Sequence, residues 1–217
     1  MKKKIPVILT VIAFILILVG LAKMCNPTTS HQDQAQETKV KPKKKHLSVA
    51  EAARPYPDPK DLRPAGSWNK TSEKKKYPKL GKAKDLVLRV SLKGNRVYVI
   101  KRGHVVYTML ASGGVYKNGK SDTPTGTFEI KEGRGDSFFN QGLNEGANNW
   151  VSWDPDDANV YLFHSVPTKA DGTYNMKEAK KLGKTQGSHG CIRLSVPDSR
   201  WLMENVPVGT KVIIEDE

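Results

Sequence analysis

The residue types most able to do chemistry in this sequence lie in two short segments. Residues 188–194 read Ser-His-Gly-Cys-Ile-Arg-Leu, and residues 163–165 read Phe-His-Ser. A cysteine attacks a carbonyl carbon as its thiolate, and a nearby imidazole favours the thiolate by lowering the thiol pKa. Gly190 beside Cys191 lets the backbone approach closely and frees N–H groups for a developing oxyanion. The two segments therefore predict nucleophilic catalysis by Cys191 with a histidine as the base.

Two histidines compete for the role of base. His164 follows the apolar run 161–163, so it is either a catalytic base or a core histidine with a backbone partner. His189 lies two residues before Cys191 and either moves protons or orients the loop. Cys191 also has alternatives: a small buried hydrophobic residue, or a zinc ligand together with both histidines. No compact His-Glu-x-x-His or paired-cysteine spacing accompanies the zinc interpretation, which we disfavour.

A third segment extends the pattern. Residues 123–128 read Thr-Pro-Thr-Gly-Thr-Phe. With these three ordered segments, the sequence resembles the L,D-transpeptidase (YkuD-type) catalytic domain over about residues 86–215. The resemblance implies a mostly β, β-sandwich-like fold with short helices, and an enzyme of the bacterial cell wall. It implies peptidoglycan stem peptides as substrates, with no cofactor and no metal.

The resemblance also assigns roles to individual residues. It makes Cys191 the nucleophile and His164 the proton donor and acceptor. The supporting residues, which shape the site or place backbone donors near the oxyanion, are Ser188, His189, Gly190 and Arg193. Arg193 either holds the loop or meets a substrate carboxylate. We expect Ser165 and Thr123 to take part in substrate binding.

The chemistry that the resemblance implies is acyl transfer through a thioester. Cys191 attacks the amide between the third residue of a stem peptide and the terminal D-Ala, and D-Ala leaves. An amine on the third residue of another stem then attacks the thioester and forms a 3→3 cross-link. Water in place of the amine gives an L,D-carboxypeptidase or hydrolase. A non-catalytic envelope-binding protein is the alternative from another class, although the intact segment 188–191 argues against it.

Short β-rich segments begin at residue 85 and predict a mostly β domain over 85–217. The strands expected from β-branched and aromatic runs are 86–90, 96–100, 105–110, 127–130, 160–163 and 211–214. The first two flank a Lys-Gly-Asn turn and predict a hairpin. A helix that begins at Ser195 is indicated by a capping box with Asp198. A second helix, over 176–182, lies in an interval longer than is usual for the family, and we expect it to form a mobile lid with Gly172 and Gly183 as hinges.

The N-terminal part of the sequence predicts a membrane anchor over residues 1–25. Residues 5–22 are eighteen uncharged residues, about the minimum that crosses a ~30 Å hydrocarbon layer. Three lysines precede this run and one lysine follows closely, so the positive-inside rule leaves the N-terminus in the cytoplasm. We therefore expect a single-pass cell-membrane protein with its catalytic domain on the cell-wall side. A cleaved signal peptide is the main rival, and a lipid anchor at Cys25 is a weaker one.

A basic linker is predicted between the anchor and the domain, over residues 26–84. It holds seven of the thirteen prolines and few aliphatic residues, a composition typical of a disordered segment. Of the formal net charge of +14, only +1 belongs to residues 85–217, which carry seventeen basic and sixteen acidic side chains. A nucleic-acid-binding domain would carry its basic residues on the folded surface, so we exclude that class. The linker charge instead favours anionic envelope polymers as partners.

Overall fold

The computed structural model of this protein describes residues 47–217. The predicted anchor over 1–25, Cys25 and the first part of the predicted linker lie outside the described residues. Within 47–217, no helix combines the length and the apolar character that a membrane crossing requires.

The described chain is mostly β, as the sequence predicts. Its eleven strands are β1 Leu86–Ser91, β2 Arg96–Lys101, β3 His104–Ser112, β4 Tyr116–Lys117, β5 Lys120–Ser121, β6 Gly126–Glu129, β7 Arg134–Asn140, β8 Glu145–Ser152, β9 Leu162–Ser165, β10 Ile192–Leu194 and β11 Lys211–Glu215. The helices are α1 Val49–Ala52, α2 Met176–Ala179 and α3 Val196–Asn205, with a 3-10 turn at Ala83–Asp85. Strands β7 and β8 were not predicted from the sequence.

Nine strands form one sheet in the order β6-β11-β1-β2-β3-β10-β9-β8-β7, and β4 pairs with β5 separately. The long strand β3 bridges the two parts of this sheet. It pairs with β2 up to Leu110, and its last two residues then pair with β10. The strands therefore make one curled sheet, where the sequence predicted a β-sandwich-like arrangement.

The predicted hairpin of β1 and β2 is confirmed, and its turn explains the sequence between the strands. The two strands pair antiparallel from Leu86↔Lys101 to Ser91↔Arg96. Asn95 has a positive φ of 56°, a conformation that asparagine tolerates better than most residues. Both strands contribute alternate side chains, such as Leu88 and Val99, to the core.

Helix α3 closes one side of this core. Its N-cap is Ser195, whose hydroxyl accepts a hydrogen bond of 3.2 Å from the Asp198 N–H, so the predicted start is confirmed. Trp201 and Leu202 are buried and belong to the main hydrophobic cluster. The helix packs on β8, β9 and β10 and so supports the strands that carry the candidate catalytic residues.

Residues 54–80, which we call the N-terminal strap, differ from the predicted disordered linker. Ser72 and Glu73 are buried, and Tyr77 stacks on Trp201 with ring centroids 4.8 Å apart. The Ser72 hydroxyl donates to the Asp198 carboxylate and accepts from the Leu110 N–H at 2.8 Å. Disorder was predicted because this segment has little apolar surface to bury. Its polar groups find partners inside the domain, which is why the strap is ordered.

Candidate active site

The sheet brings the two segments with catalytic residue types together. Strands β9 and β10 are parallel neighbours, with Phe163 opposite Ile192 and His164 opposite Arg193. Cys191 immediately precedes β10, and His164 lies within β9 opposite Arg193, so the two residues lie close together on neighbouring segments. They line a cavity of about 470 Å³. Its walls consist of Phe138, Asn140, Leu143, Glu145, Trp150, Asn159, Val160, Leu162, His164, Ser188, His189 and Cys191.

Cys191 is a free, half-buried thiol. Its sulfur donates to the Val160 carbonyl oxygen at 3.3 Å. Burial raises the pKa of the Cys191 thiol to about 11, and the negative charges of Glu145 and Asp154 add to that effect. Arg193 opposes the shift without reversing it. The thiol is therefore protonated at neutral pH.

His164 is buried, and its tautomer follows from its backbone partner. The Nδ1 atom lies 2.6 Å from the Ser165 carbonyl oxygen, which only accepts, so Nδ1 carries the proton. The other ring nitrogen, Nε2, is then an unprotonated acceptor. Burial and the nearby positive charge of Arg193 lower the pKa of His164 to about 3. The imidazole is a neutral base across the physiological range.

The protonation states of Cys191 and His164 differ from the thiolate that the sequence predicted. The sequence predicted that a nearby histidine would lower the thiol pKa, whereas burial shifts both groups towards their neutral forms. The resting site thus combines a neutral Cys191 thiol with a neutral His164 imidazole. Such a pair attacks a carbonyl by transferring the proton as the sulfur–carbon bond forms.

The loop before Cys191 is held by backbone hydrogen bonds that it donates to Gly113, just after β3. The N–H groups of Gly187 and Ser188 donate to the Gly113 carbonyl oxygen at 2.9 and 3.0 Å. The buried Ser188 hydroxyl donates to the Cys191 carbonyl oxygen at 2.5 Å and accepts from the Gly190 N–H at 3.1 Å. Because Gly190 uses its N–H within the loop, it is not the free oxyanion donor that we expected. The Cys191 N–H remains as the candidate donor.

Gly190 is required by space and by backbone conformation. Its φ is +140°, and a Cβ atom there would lie 2.9 Å from Cε1 of Tyr161. Its carbonyl oxygen accepts a hydrogen bond of 2.8 Å from the Thr123 hydroxyl. That hydroxyl also accepts from the Gly114 N–H at 2.8 Å. Thr123 is buried, positions the loop and does not line the cavity, and its contact with substrate stays a prediction.

Ser165, the other predicted substrate-binding residue, is also buried and bonded to backbone groups. Its side chain is fully buried, and its hydroxyl donates to the Val166 carbonyl oxygen at 2.8 Å. The same hydroxyl accepts from the Asn148 N–H at 3.0 Å. Ser165 therefore ties β9 to β8, and its carbonyl orients His164. His189, by contrast, is exposed and lies in the cavity wall.

Arg193 makes ion pairs within the protein, which favours the first of its two predicted roles, that of holding the loop. Its guanidinium is buried and pairs with Glu178 at 2.9 Å and with Glu145 at 2.6 Å. Both of its terminal nitrogens are occupied, so it is not free to meet a substrate carboxylate. Glu178 lies on α2, which Arg193 thereby joins to the strand that follows Cys191.

The segment that contains α2 does not form the expected lid. The helix ends at Ala179, and Ala179 and Leu182 are fully buried in a cluster with Leu110 and Val166. The proposed hinge at Gly183 is tethered, since its N–H donates to the Ala111 carbonyl oxygen at 2.9 Å. None of residues 166–187 lines the cavity.

Sequence reasoning missed the wall built by β7 and β8. Phe138 contacts His164 edge to face, with ring centroids 5.5 Å apart, and Glu145 begins β8. The two tryptophans of this region differ in position, since Trp150 lines the cavity and Trp153 is buried in the core. Residues 145–152 read Glu-Gly-Ala-Asn-Asn-Trp-Val-Ser, which neither alternates strictly nor is rich in β-branched residues, so little in the sequence indicates this strand.

Comparison with known proteins places this geometry in a family. The L,D-transpeptidase catalytic domain family matches residues 85–214, and the chain therefore belongs to it. One relative is YciB of Bacillus subtilis (strain 168), which is named an L,D-transpeptidase on a provisional basis. It is 42% identical to this chain over 147 residues, which cover 68% of this chain and 73% of that protein.

Solved structures with the same description are more distant. An L,D-transpeptidase from Mycobacterium smegmatis is 21% identical with a TM-score of 0.48, over 60% of this chain and 58% of its own. One from Mycobacterium tuberculosis H37Rv is 22% identical with a TM-score of 0.46, over 60% and 57%. The matches thus span less than two thirds of these solved chains.

Proposed function

We propose that this protein is a peptidoglycan L,D-transpeptidase that forms 3→3 cross-links through a thioester on Cys191. Membership of the L,D-transpeptidase family supports the reaction class. The observation that carries the proposal is that Cys191, just before β10, and His164, on the adjacent parallel strand β9, line one cavity.

Acylation uses the neutral pair. His164 Nε2 takes the thiol proton as the Cys191 sulfur forms a bond to the carbonyl carbon of the third stem residue. The Cys191 N–H lies at the loop position suited to the oxyanion. His164 then gives the proton to the departing amine, the carbon–nitrogen bond breaks, and D-Ala leaves. The thioester conserves the energy of the broken amide, so this chemistry needs no cofactor.

Deacylation separates transfer from hydrolysis. An amine on the third residue of another stem attacks the thioester and yields the cross-link, whereas water yields the tripeptide. The half-buried sulfur is accessible enough for either acceptor to approach. The L,D-carboxypeptidase therefore remains the alternative outcome of the same thioester.

Labelling with a carbapenem tests the nucleophile. We expect intact mass spectrometry to show one imipenem adduct on the wild-type protein and none on Cys191→Ala. Cys191→Ser, which keeps the size of the side chain, is the matched control for folding. An adduct of undiminished yield on Cys191→Ala would show that another group is acylated. Incubation with stem tetrapeptide then distinguishes a transferase, which yields cross-linked dimer, from a carboxypeptidase, which yields only tripeptide.

We also propose the membrane placement that the sequence predicts. The charge-free run 5–22 supports a single-pass anchor, with the catalytic domain on the cell-wall side. The basic residues between this run and the domain support attraction to anionic envelope polymers. This location gives the catalytic domain access to its proposed substrate.

A further inference from the structure

The catalytic cavity contains a single acidic side chain. Glu145, at the start of β8, lines the same walls as Cys191 and His164, and no other lining residue in the described chain is acidic. No lysine or arginine lines the cavity either. A substrate that enters this space therefore meets one carboxylate, which favours a positively charged group.

Arg193 fixes the orientation of this carboxylate. Its Nη2 donates to Oε1 of Glu145 at 2.6 Å, from a position two residues after the nucleophile. Within residues 47–217, the second oxygen, Oε2, accepts no hydrogen bond from the protein. The Glu145 side chain is 23% exposed, so this oxygen belongs to a carboxylate that solvent and ligands reach.

Burial and, to a smaller extent, the charge of Glu145 raise the pKa of the Cys191 thiol and so keep it protonated. A carboxylate can hold Arg193 from outside the cavity. Glu178 does this: it pairs with the other terminal nitrogen of Arg193 at 2.9 Å and does not line the cavity. Of the two carboxylate partners of Arg193, Glu145 is thus the one that also faces the space that a ligand enters.

We infer that Oε2 of Glu145 binds the ammonium group of the acceptor amine before it attacks the thioester. The inference rests on the proposed function and names the acceptor class as a primary alkylammonium. In the attack, the amine nitrogen forms a bond to the thioester carbon and the carbon–sulfur bond breaks. The ammonium loses two protons in all: one reaches the Cys191 sulfur through His164, and the other goes to water. Glu145 concentrates the cationic acceptor, whereas water needs no such contact.

The test measures the choice between a charged and an uncharged acceptor. The full-length protein is incubated with stem tetrapeptide, whose third residue carries the acceptor amine, together with hydroxylamine, which is neutral at pH 7. The ratio of cross-linked dimer to hydroxamate is read by mass spectrometry. Glu145→Gln keeps an acceptor for Arg193 but removes the charge. We expect the ratio to fall about tenfold or more, as for loss of a charge-assisted hydrogen bond.

Glu178→Gln is the matched control, because it changes the other partner of Arg193 outside the cavity. We expect it to keep the wild-type ratio. The inference is overturned if Glu145→Gln also keeps that ratio, or if both variants lower it equally, as a purely structural role of Arg193 predicts. If the wild-type protein forms no dimer, hydroxamate or tripeptide, the proposed function itself fails.

A measurement on the wild-type protein keeps the test independent of variant folding. Salt screens the attraction between a carboxylate and an ammonium that approaches from solvent. We therefore expect the ratio of dimer to hydroxamate to fall as the concentration of NaCl rises. A ratio that does not change with salt would contradict a role for the charge of Glu145.

Discussion

Burial sets the chemistry of Cys191 and His164 at the scale of single residues. Both groups are removed from water, so their charged forms are disfavoured and their pKa values move apart, to about 11 and about 3. The carbonyl of Ser165 holds the imidazole in the tautomer that leaves Nε2 free. A neutral thiol and a neutral base are thus the reactive form, and no ion pair has to form before substrate binds.

This neutral pair predicts a flat pH profile for acylation. His164 stays unprotonated at every pH above about 3, and Cys191 stays protonated at every pH below about 11. We therefore expect the rate of imipenem acylation to change little between about pH 5 and pH 9. Rapid-quench mass spectrometry at several pH values measures this rate. A decline below about pH 6.5, the ordinary pKa of histidine, would show that His164 titrates there and contradict the neutral pair.

At the scale of elements, the parallel pairing of β9 and β10 assembles the site, and the N-terminal strap supports it. Asp198, in the first turn of α3, receives hydrogen bonds from the Ser72 N–H and from the Tyr77 hydroxyl at 2.7 Å. Burial raises the pKa of this carboxyl, and the hydrogen bonds oppose that shift. The strap thereby stabilises the helix that packs beneath the catalytic strands.

Replacement of Ser72 tests the contribution of the strap. Ser72→Ala removes a donor to Asp198 and leaves the buried Leu110 N–H without its acceptor. We expect a loss of about 1–3 kcal/mol in the free energy of unfolding, seen as a fall of several degrees in Tm. Ser67→Ala is the control, because the Ser67 hydroxyl donates only to Pro64 in its own turn. Equal Tm values for the two variants would show that the strap adds no stability.

The whole molecule divides its charge and its chemistry between different regions. The catalytic domain over 85–217 is almost neutral, and the excess of lysine lies before it. An enzyme that acts on a wall polymer needs a folded surface that does not adhere to every anion, and a neutral domain meets this need. In the proposed arrangement, the basic, proline-rich region supplies non-specific attraction near the membrane.

Fractionation of cells tests the proposed anchor. We expect the full-length protein to stay with membranes after extraction with alkaline carbonate, because a run of eighteen uncharged, mostly apolar residues partitions strongly into the bilayer. External protease should degrade the domain in cells whose wall has been removed. A fragment that starts at residue 47 is the control and should be released. Release by carbonate of a protein shortened at its N-terminus would favour the rival prediction of a cleaved signal peptide, and release of the intact protein would contradict the anchor.

The sequence by itself determined the reaction class and the main strands. The segment around Cys191 carries a cysteine, a glycine and a histidine within a few residues, and the hairpin of β1 and β2 depends on a local turn. Such features can be predicted from the sequence because their physical causes act between residues that are close in the chain. The family assignment followed from them and is confirmed by the match over 85–214.

Only the tertiary structure decided which polar side chains line the cavity and which stabilise the fold. Ser165 and Thr123 have the residue types of a binding site, but their burial commits them to backbone partners. Ser72 and Asp198 are 126 residues apart, and no local pattern links them. Glu145 enters the cavity because β7 and β8 fold beside β9. Long-range contacts depend on how the sheet curls, and that depends on the packing of the whole core.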